Sequence, residues 1–414
     1  MICVGFDVSK NKSTVCIARS SDKQLEKPFD VLHTTDDLEA LAERLRSFSE
    51  PIRLVMEATG HYHLPVAFFF SQQGFFVSVE NPMVIKRYES FSLHGGKTDP
   101  LDSIKIALYG LKQWDNLRKF QASQDTYCEL KLLLNQYLTY MKMFVHAKQN
   151  LIFLMDQTLP GFKKALDSKS ASDFQRIKYK DFAEKYWHVD CICKMGKKRF
   201  IESYQNWCKK KGYQFSQKKA DELFQLAETG IPSQPSDMPS AKLAVQLAAK
   251  QVTTNGAVLN DILAQMQTLA KTLPEYQVVR EMSGIGDKLC PSLIAAIGDP
   301  RRFYSAKSLV AYSGVDAPPY QSGKFYGNKR KICKRGSSRI RKICYEVIQS
   351  LKSHPPKEDT AVYEFVKKKE AEGKAKKVAN IAGVNKLLHI YYARVMEVYK
   401  NLENQEDYQK KQCA

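Results

Sequence analysis

The stretch Lys97-Thr98-Asp99-Pro100-Leu101-Asp102 decides how the first part of the chain is read. It carries two carboxylates at i and i+3, a spacing that puts both on one face of a helix. Two other stretches each place one carboxylate at the end of a short apolar run. They are Val4-Gly5-Phe6-Asp7-Val8-Ser9-Lys10 and Leu54-Val55-Met56-Glu57-Ala58-Thr59-Gly60. Such runs read as buried strands, and open α/β sheets expose their sites at the carboxyl ends of the strands. Asp7, Glu57, Asp99 and Asp102 are therefore expected to converge.

Four carboxylates in a poorly solvated site repel and would not all stay ionised. A divalent cation removes that conflict. Mg²⁺ takes carboxylate oxygens together with waters and substrate phosphates. Two such ions, typically ~3.5–4 Å apart, stabilise both the attacking and the leaving oxygen of a phosphodiester. A local reading competes for the same residues: Asp99 as a helix N-cap before Pro100, with Asp102 at N3, where the helix dipole favours acids. The ordered set of three stretches favours the metal.

Composition narrows the class. The chain has 414 residues, 43% of them hydrophobic, enough for two or three cored domains. Its net charge is +20, which points to polyanionic partners, nucleic acid first. Ten cysteines without a framework spacing suggest reduced thiols and a cytoplasmic setting. No signal peptide is expected, because Asp7 interrupts the one candidate stretch. The longest apolar run, Leu64 to Phe70, is far too short to span a bilayer, so no membrane partner is expected.

Residues 1–122 alternate strand and helix signals. Ile2–Phe6 and Thr14–Ala18 form a hairpin; Asp36–Phe48, Tyr62–Gln73 and Asp99–Leu111 read as helices; Arg53–Met56 and Phe75–Val79 read as strands. The order β-β-α-β-α-β-α implies an α/β domain, a mixed sheet with helices on its faces. Residues 123–275 change character. A helical stripe runs from Ser123 to Leu159 and another from Pro239 to Leu273, suited to an antiparallel pair or a dimerising coiled coil. Between them, 162–238 is a basic, aromatic-spotted insert. His188, Cys191, Cys193 and Cys208 fit no strong zinc spacing. Gly230 to Ser240, with three prolines and three serines, reads as a linker.

The last region, 276–414, is mainly helical. Ser283-Gly284-Ile285-Gly286 opens the apolar helix Leu289–Ile297, and a Gly-x-Gly turn at a helix start suits phosphate contact by Gly284 and Gly286. Lys324 to Lys342 holds nine Lys/Arg and no acid: Lys324, Lys329, Arg330, Lys331, Lys334, Arg335, Arg339, Arg341 and Lys342. Phe325, Tyr326, Gly327 and Gly336 interleave with them, as in a loop lying on a nucleic-acid backbone. The tail after His354 reads as helices at 358–370 and 376–400. Gly95-Gly96-Lys97-Thr98 only imitates a Walker loop, because Phe91 stands where the first glycine belongs.

The motifs around Asp7, around Glu57 and over Lys97–Asp102 resemble the three N-terminal motifs of DEDD transposases, the one-hundred-and-ten family of insertion sequences. Gly284-Ile285-Gly286, Ala311-Tyr312-Ser313-Gly314, Gln321-Ser322-Gly323-Lys324 and Lys334-Arg335-Gly336 resemble that family's C-terminal block. The resemblance covers about residues 1–155 and 276–350; the 162–238 insert departs from it. It implies an RNase H-like, RuvC-like N-terminal domain holding Mg²⁺ on Asp7, Glu57, Asp99 and Asp102. It also implies a helical coiled-coil region and a C-terminal domain whose nucleophilic serine is Ser322. Members act as recombinases guided by a structured RNA that pairs with target and donor DNA. They assemble as dimers and tetramers in which one protomer's acids meet another's serine. On this reading the chain cuts and rejoins DNA through a phosphoserine intermediate. The competing functions are a resolvase-like endonuclease using water, a sugar-kinase or actin-like ATPase, and a non-catalytic nucleic-acid scaffold.

Overall fold

The computed structural model describes residues 1–20, 23–58, 62–89, 98–120, 126–166, 173–318, 321–322, 325–326 and 331–412. The chain divides into two compact units, Met1–Gln124 and Asp125–Ala414.

The first unit is built on β1 (Ile2–Val8). Alternate side chains of a strand face opposite sides. Ile2, Val4, Phe6 and Val8 point to one face, and Cys3, Gly5 and Asp7 to the other. β1 pairs antiparallel with β2 (Lys12–Ser20) through the expected hairpin. β2 also pairs with β3 (Lys23–Gln24) and with β4 (Phe29–Leu32). After α1 (Thr35–Arg46), β5 (Ile52–Glu57) joins β1 in parallel. After α2 (His63–Gln72), β6 (Phe76–Glu80) joins β5 in parallel. The order along the mixed sheet is β3-β2-β1-β5-β6. The elements expected from the sequence are present, with ends shifted by a few residues. Three were not anticipated: the short strands β3 and β4, and α3 (Pro82–Glu89), all too short to show a period.

The two faces of the sheet are covered differently. On the large-residue face, Val4, Phe6, Leu54 and Met56 pack with Leu38, Leu41 and Leu45 of α1 and with Val66 and Phe70 of α2. On the small-residue face lies α4 (Asp99–Lys112). It touches the sheet almost backbone to backbone. A Cβ on Gly5 would stand 2.3 Å from the Ser103 carbonyl oxygen and 2.4 Å from the Ala107 nitrogen. One on Gly110 would stand 2.3 Å from Cys3 Sγ. Because Gly110 lies over Cys3 and Ser103 over Gly5, α4 runs antiparallel to β1, and its first turn lies toward the end of β1 that carries Asp7.

The second unit is helical. α5 (Thr126–Thr158) and α11 (Pro239–Ala270) pack antiparallel within the chain. Tyr127, Leu130 and Leu134 share a core with Met266 and Ala270, whereas Phe144, Leu151 and Met155 share one with Val245, Val252 and Leu259. The two ends of the pair thus belong to different cores. One holds the middle segment: α6 (Phe162–Leu166), α7 (Lys178–Lys185), α8 (Asp190–Cys193), α9 (Lys197–Lys211) and α10 (Gln217–Thr229). The other holds the C-terminal block: α12 (Tyr276–Arg280), α13 (Leu289–Ile297), α14 (Ala306–Ser313), α15 (Ser338–Ser353), α16 (Ala361–Ala371) and α17 (Lys376–Gln412).

Polar contacts tie these pieces together. The carboxylate of the fully buried Glu275 accepts from Tyr127 Oη at 2.7 Å and Tyr399 Oη at 2.6 Å, joining α5, the start of α12 and α17. Burial pushes both phenols far above their usual range. In the middle segment, buried Lys180 bonds Thr253 Oγ1 at 2.9 Å and pairs with Asp181 at 2.7 Å, anchoring α7 on α11. His188 is structural: Asp190 N–H donates to its Nδ1 at 3.0 Å, and its Nε2 lies 2.9 Å from the Gln234 carbonyl, holding the linker down.

Gly5→Ala is expected to cost about 3 kcal/mol or more, since backbone cannot yield as a side chain does. Urea unfolding measures this; a variant as stable as the parent would mean that α4 does not lie on β1. A second expectation concerns Asp359, which receives both Arg394 nitrogens, at 3.0 and 2.6 Å, and the Ser283 N–H at 3.1 Å. Burial pushes its carboxyl up, but the Arg394 and Ser283 hydrogen bonds outweigh that and hold it below the ordinary range. Its folded value lies below its unfolded one, so its stabilisation is present above the unfolded carboxyl range near pH 4 and fades as pH falls through the folded value. Asp359→Asn should therefore melt lower than the parent at pH 7, by the equivalent of roughly 1.5–3 kcal/mol, and the gap should close toward pH 3. A gap independent of pH would contradict this.

Candidate active site

Three carboxylates mark one edge of the first unit. Phe6 pairs with Met56 across β1 and β5, which brings Asp7 level with Glu57; Glu57 in turn pairs with Glu80 across β5 and β6. Neighbouring strands lie ~4.8 Å apart, so Asp7, Glu57 and Glu80 form a row along the carboxyl ends of three adjacent parallel strands. By alternation all three face α4. Glu80 confirms its side: it accepts from Ser78 Oγ at 2.8 Å and lies 3.4 Å from Tyr109 Oη of α4. That bond joins burial in raising the Tyr109 phenol to about 12.

Asp99 and Asp102 occupy the first turn of α4, beyond the Gly5 contact and toward the same edge. Asp99 is exposed and Asp102 half-buried. The capping alternative is corrected in part. Thr98, extended at φ −148° and ψ 149°, is the N-cap, and Asp99 is already helical. Asp102 N–H bonds the Thr98 carbonyl at 2.9 Å, and its carboxylate pairs with Lys105 at 2.9 Å. Lys12, where β2 begins, has a raised pKa mainly through its bond and charge pairing with Asp30, with a smaller contribution from Asp99. The acids thus share one edge and one face. Among the described residues, no three His, Cys, Asp or Glu are arranged as a ready ligand set. The donors are all carboxylate oxygens, which suits a hard divalent cation by its chemistry.

Glu80 was missed by the sequence reading, although its signal was there. Phe76-Val77-Ser78-Val79-Glu80 is an apolar run ending in an acid, as are the runs before Asp7 and Glu57.

In the second unit Ser322 closes the short strand β7 (Gln321–Ser322), paired opposite Phe325 of β8 (Phe325–Tyr326). Only Gly323 and Lys324 separate the two strands, so Ser322 stands at a hairpin tip. Lys324, Lys329 and Arg330 lie outside the described residues. Lys331, Lys334, Arg335 and Arg339 are all exposed and make no ion pair among the described residues. The segment carrying them is pinned to the end of α14. Cys333 N–H bonds the Asp316 carbonyl at 2.9 Å, Lys334 N–H the Gly314 carbonyl at 3.1 Å, and Ser337 N–H the Tyr312 carbonyl at 2.7 Å. Gly336 permits the crossing, since a Cβ there would stand 2.1 Å from the Tyr312 carbonyl oxygen.

The Gly284 turn is tied inward. Gly284 has φ +81° and faces Leu351 of α15, and Ser283 N–H is taken by Asp359. Gly286 has open space where a side chain would be. His188, Cys191, Cys193 and Cys208 form no metal-holding group among the described residues.

Two family models match the chain. One, described as a transposase and of the DEDD IS110 type, covers residues 4–160; the other, described as transposase of the IS116/IS110/IS902 family, covers residues 276–364. Pilin gene-inverting proteins of Moraxella bovis and Moraxella lacunata are each 25% identical over 396 residues, 95% of this chain and 95% of theirs. An insertion element IS900 uncharacterized 42 kDa protein of Mycobacterium paratuberculosis is 25% identical over 183 residues, 43% of this chain. No helix among the described residues is long and apolar enough to cross a membrane. With its two blocks matched in order around the acidic sheet edge and the serine hairpin, the chain belongs to the IS110 family of insertion-sequence transposases and is a DNA transposase/recombinase.

Proposed function

We propose that the protein recombines DNA with a RuvC-like acidic site and a serine nucleophile. The observation that carries this reading is the edge where β1, β5 and the first turn of α4 bring their acids to one face of the mixed sheet. Asp7, Glu57, Asp99 and Asp102 would hold Mg²⁺, as one or two ions. When bound, the cation neutralises the crowded carboxylates and polarises a scissile phosphodiester.

Ser322 Oγ attacks the phosphorus. An Oγ–P bond forms as a P–O bond to deoxyribose breaks, the strand end leaves as a hydroxyl, and the serine proton passes to a base or water. The phosphoserine link keeps the bond energy for rejoining to a second strand end. A serine hydroxyl is weak at its free pKa and needs activation. Lys324, Lys334 and Arg335 would balance charge on the pentavalent phosphorus, while Lys329, Arg330, Lys331 and Arg339 hold the DNA backbone and Gly286 meets a phosphate. The acids and the serine belong to different compact units, which suits an assembly of two or four copies with shared sites. A structured RNA pairing with target and donor DNA would choose the sequences. The Moraxella relatives are named for gene inversion, and inversion needs the same cut-and-rejoin chemistry.

Ser322→Ala is expected to keep DNA binding but to leave no covalent protein–DNA adduct on a denaturing gel. Strand cleavage surviving in that variant would instead favour water as nucleophile, with Ser322 only contacting phosphate. Asp102→Asn should lower Mg²⁺-dependent cleavage by at least about 100-fold, in the range typical of lost electrostatic stabilisation. Unchanged cleavage would leave Asp102 as a helix-terminal acid only.

A further inference from the structure

Helix α9 reads KKRFIESYQNWCKKK, and its two sides are sharply different. Phe200, Tyr204, Trp207 and Cys208 are buried in the middle-segment core. Lys198, Arg199, Glu202, Gln205, Asn206, Lys209 and Lys210 are exposed. With 3.6 residues per turn, Lys198, Glu202, Gln205 and Lys209 form one stripe, and Arg199, Asn206 and Lys210 form the stripe beside it. The exposed side thus carries two cations at each end, with the Glu202 carboxylate and two side-chain amides between them, a net charge of +3.

Fold stability accounts for only part of this pattern. Lys197 is paired with Asp221 at 3.0 Å, and Lys211 with Asp181 at 3.6 Å and Glu184 at 3.4 Å. Lys198, Arg199, Lys209 and Lys210 make no ion pair among the described residues. Lysines in the last turn of a helix complement its dipole, which explains Lys209 and Lys210. Lys198 and Arg199 stand in the first turn, which has no acid and follows a Gly196 N-cap without a side-chain bond. Cations there oppose the dipole, so they weaken the helix that carries them and point to an anionic partner.

We propose that the exposed side of α9 docks in the major groove of duplex DNA. The two cation pairs lie about 16 Å apart along the axis and reach the phosphate rows on either side of a groove about 12 Å wide. Gln205 and Asn206 face the base edges between them, where side-chain amides pair with adenine. The major groove of duplex RNA is too narrow and deep for this contact, which selects DNA. The assignment concerns a part of the chain that neither family model covers, and it does not depend on the roles of Ser322 or the acids.

The test is the salt dependence of binding by the full-length protein to a mixed-sequence DNA duplex and to an RNA duplex of the same sequence. In a variant with Lys198→Gln, Arg199→Gln, Lys209→Gln and Lys210→Gln, the slope of log affinity against log salt on DNA should shrink by about 3–4, at roughly 0.9 per phosphate contact. Affinity at moderate salt should fall at least about ten-fold. Its melting temperature should stay close to the parent's, because losing two cations that oppose the helix dipole offsets losing two that complement it. Should that variant fail to fold, Lys198→Gln with Arg199→Gln is read instead, with a slope loss of about 2. Equal slopes for variant and parent overturn the proposal, as does a loss seen on RNA but not on DNA.

Discussion

The site rests on one close approach: the backbone of α4 lies against the backbone of β1. Gly5 has no side chain to hold the helix off, and Gly110 lets Cys3 and Val55 fill the space beneath it. A helix on a sheet normally rides on a layer of side chains. Here that layer is missing for more than one turn, so α4 is fixed in height and in register. The register decides where Asp99 and Asp102 stand, since they occupy the turn before Ser103. Moving α4 outward by one side-chain layer would separate those carboxylates from the strand-end acids.

The composition of β1 follows from this constraint. The strand alternates large and small residues, Ile2, Val4, Phe6 and Val8 toward α1 and α2, Cys3 and Gly5 toward α4. One face supplies hydrophobic burial. The other gives up some of that burial to bring a helix close. Asp7 ends the small-residue row and is half-buried at the carboxyl end of the strand. Glu80 and its bond with Tyr109 add a polar clamp between β6 and α4 at the same edge.

The second unit solves a different problem. Its helix pair α5 and α11 is long and cannot be enclosed by one core, so each end is buried by its own set of helices. The C-terminal set includes the tail, which the sequence left without a role. Tyr391, Val395 and Tyr399 of α17 are core residues there, and Tyr399 shares the Glu275 carboxylate with Tyr127. Truncating the tail would therefore open the core that supports the serine hairpin's own block. The cations of the basic run 331–339 remain outside because the run is held at the end of α14 by backbone bonds and by the Cys333 thiol, which donates to Asp316, and not by its lysines and arginines.

The amino-acid order alone established the elements and the chemical types. Period-2 and period-3.6 apolar spacing marked most strands and helices within a few residues, and acids at the ends of apolar runs marked the candidate site. It also carried enough motif to imply the family. Short elements such as β4, α3 and α8 escaped, because a few residues cannot show a period. Tertiary structure decided what each signal was for. Thr98 rather than Asp99 caps α4 because the chain is still extended there. His188 holds a linker instead of a metal because its ring nitrogens already have partners in Asp190 and Gln234. Glu80 joins the acidic edge only through strand register, and Gly284 turns inward only because Leu351 lies behind it. Each of these depends on a contact between residues distant in the chain, which spacing along the sequence does not encode.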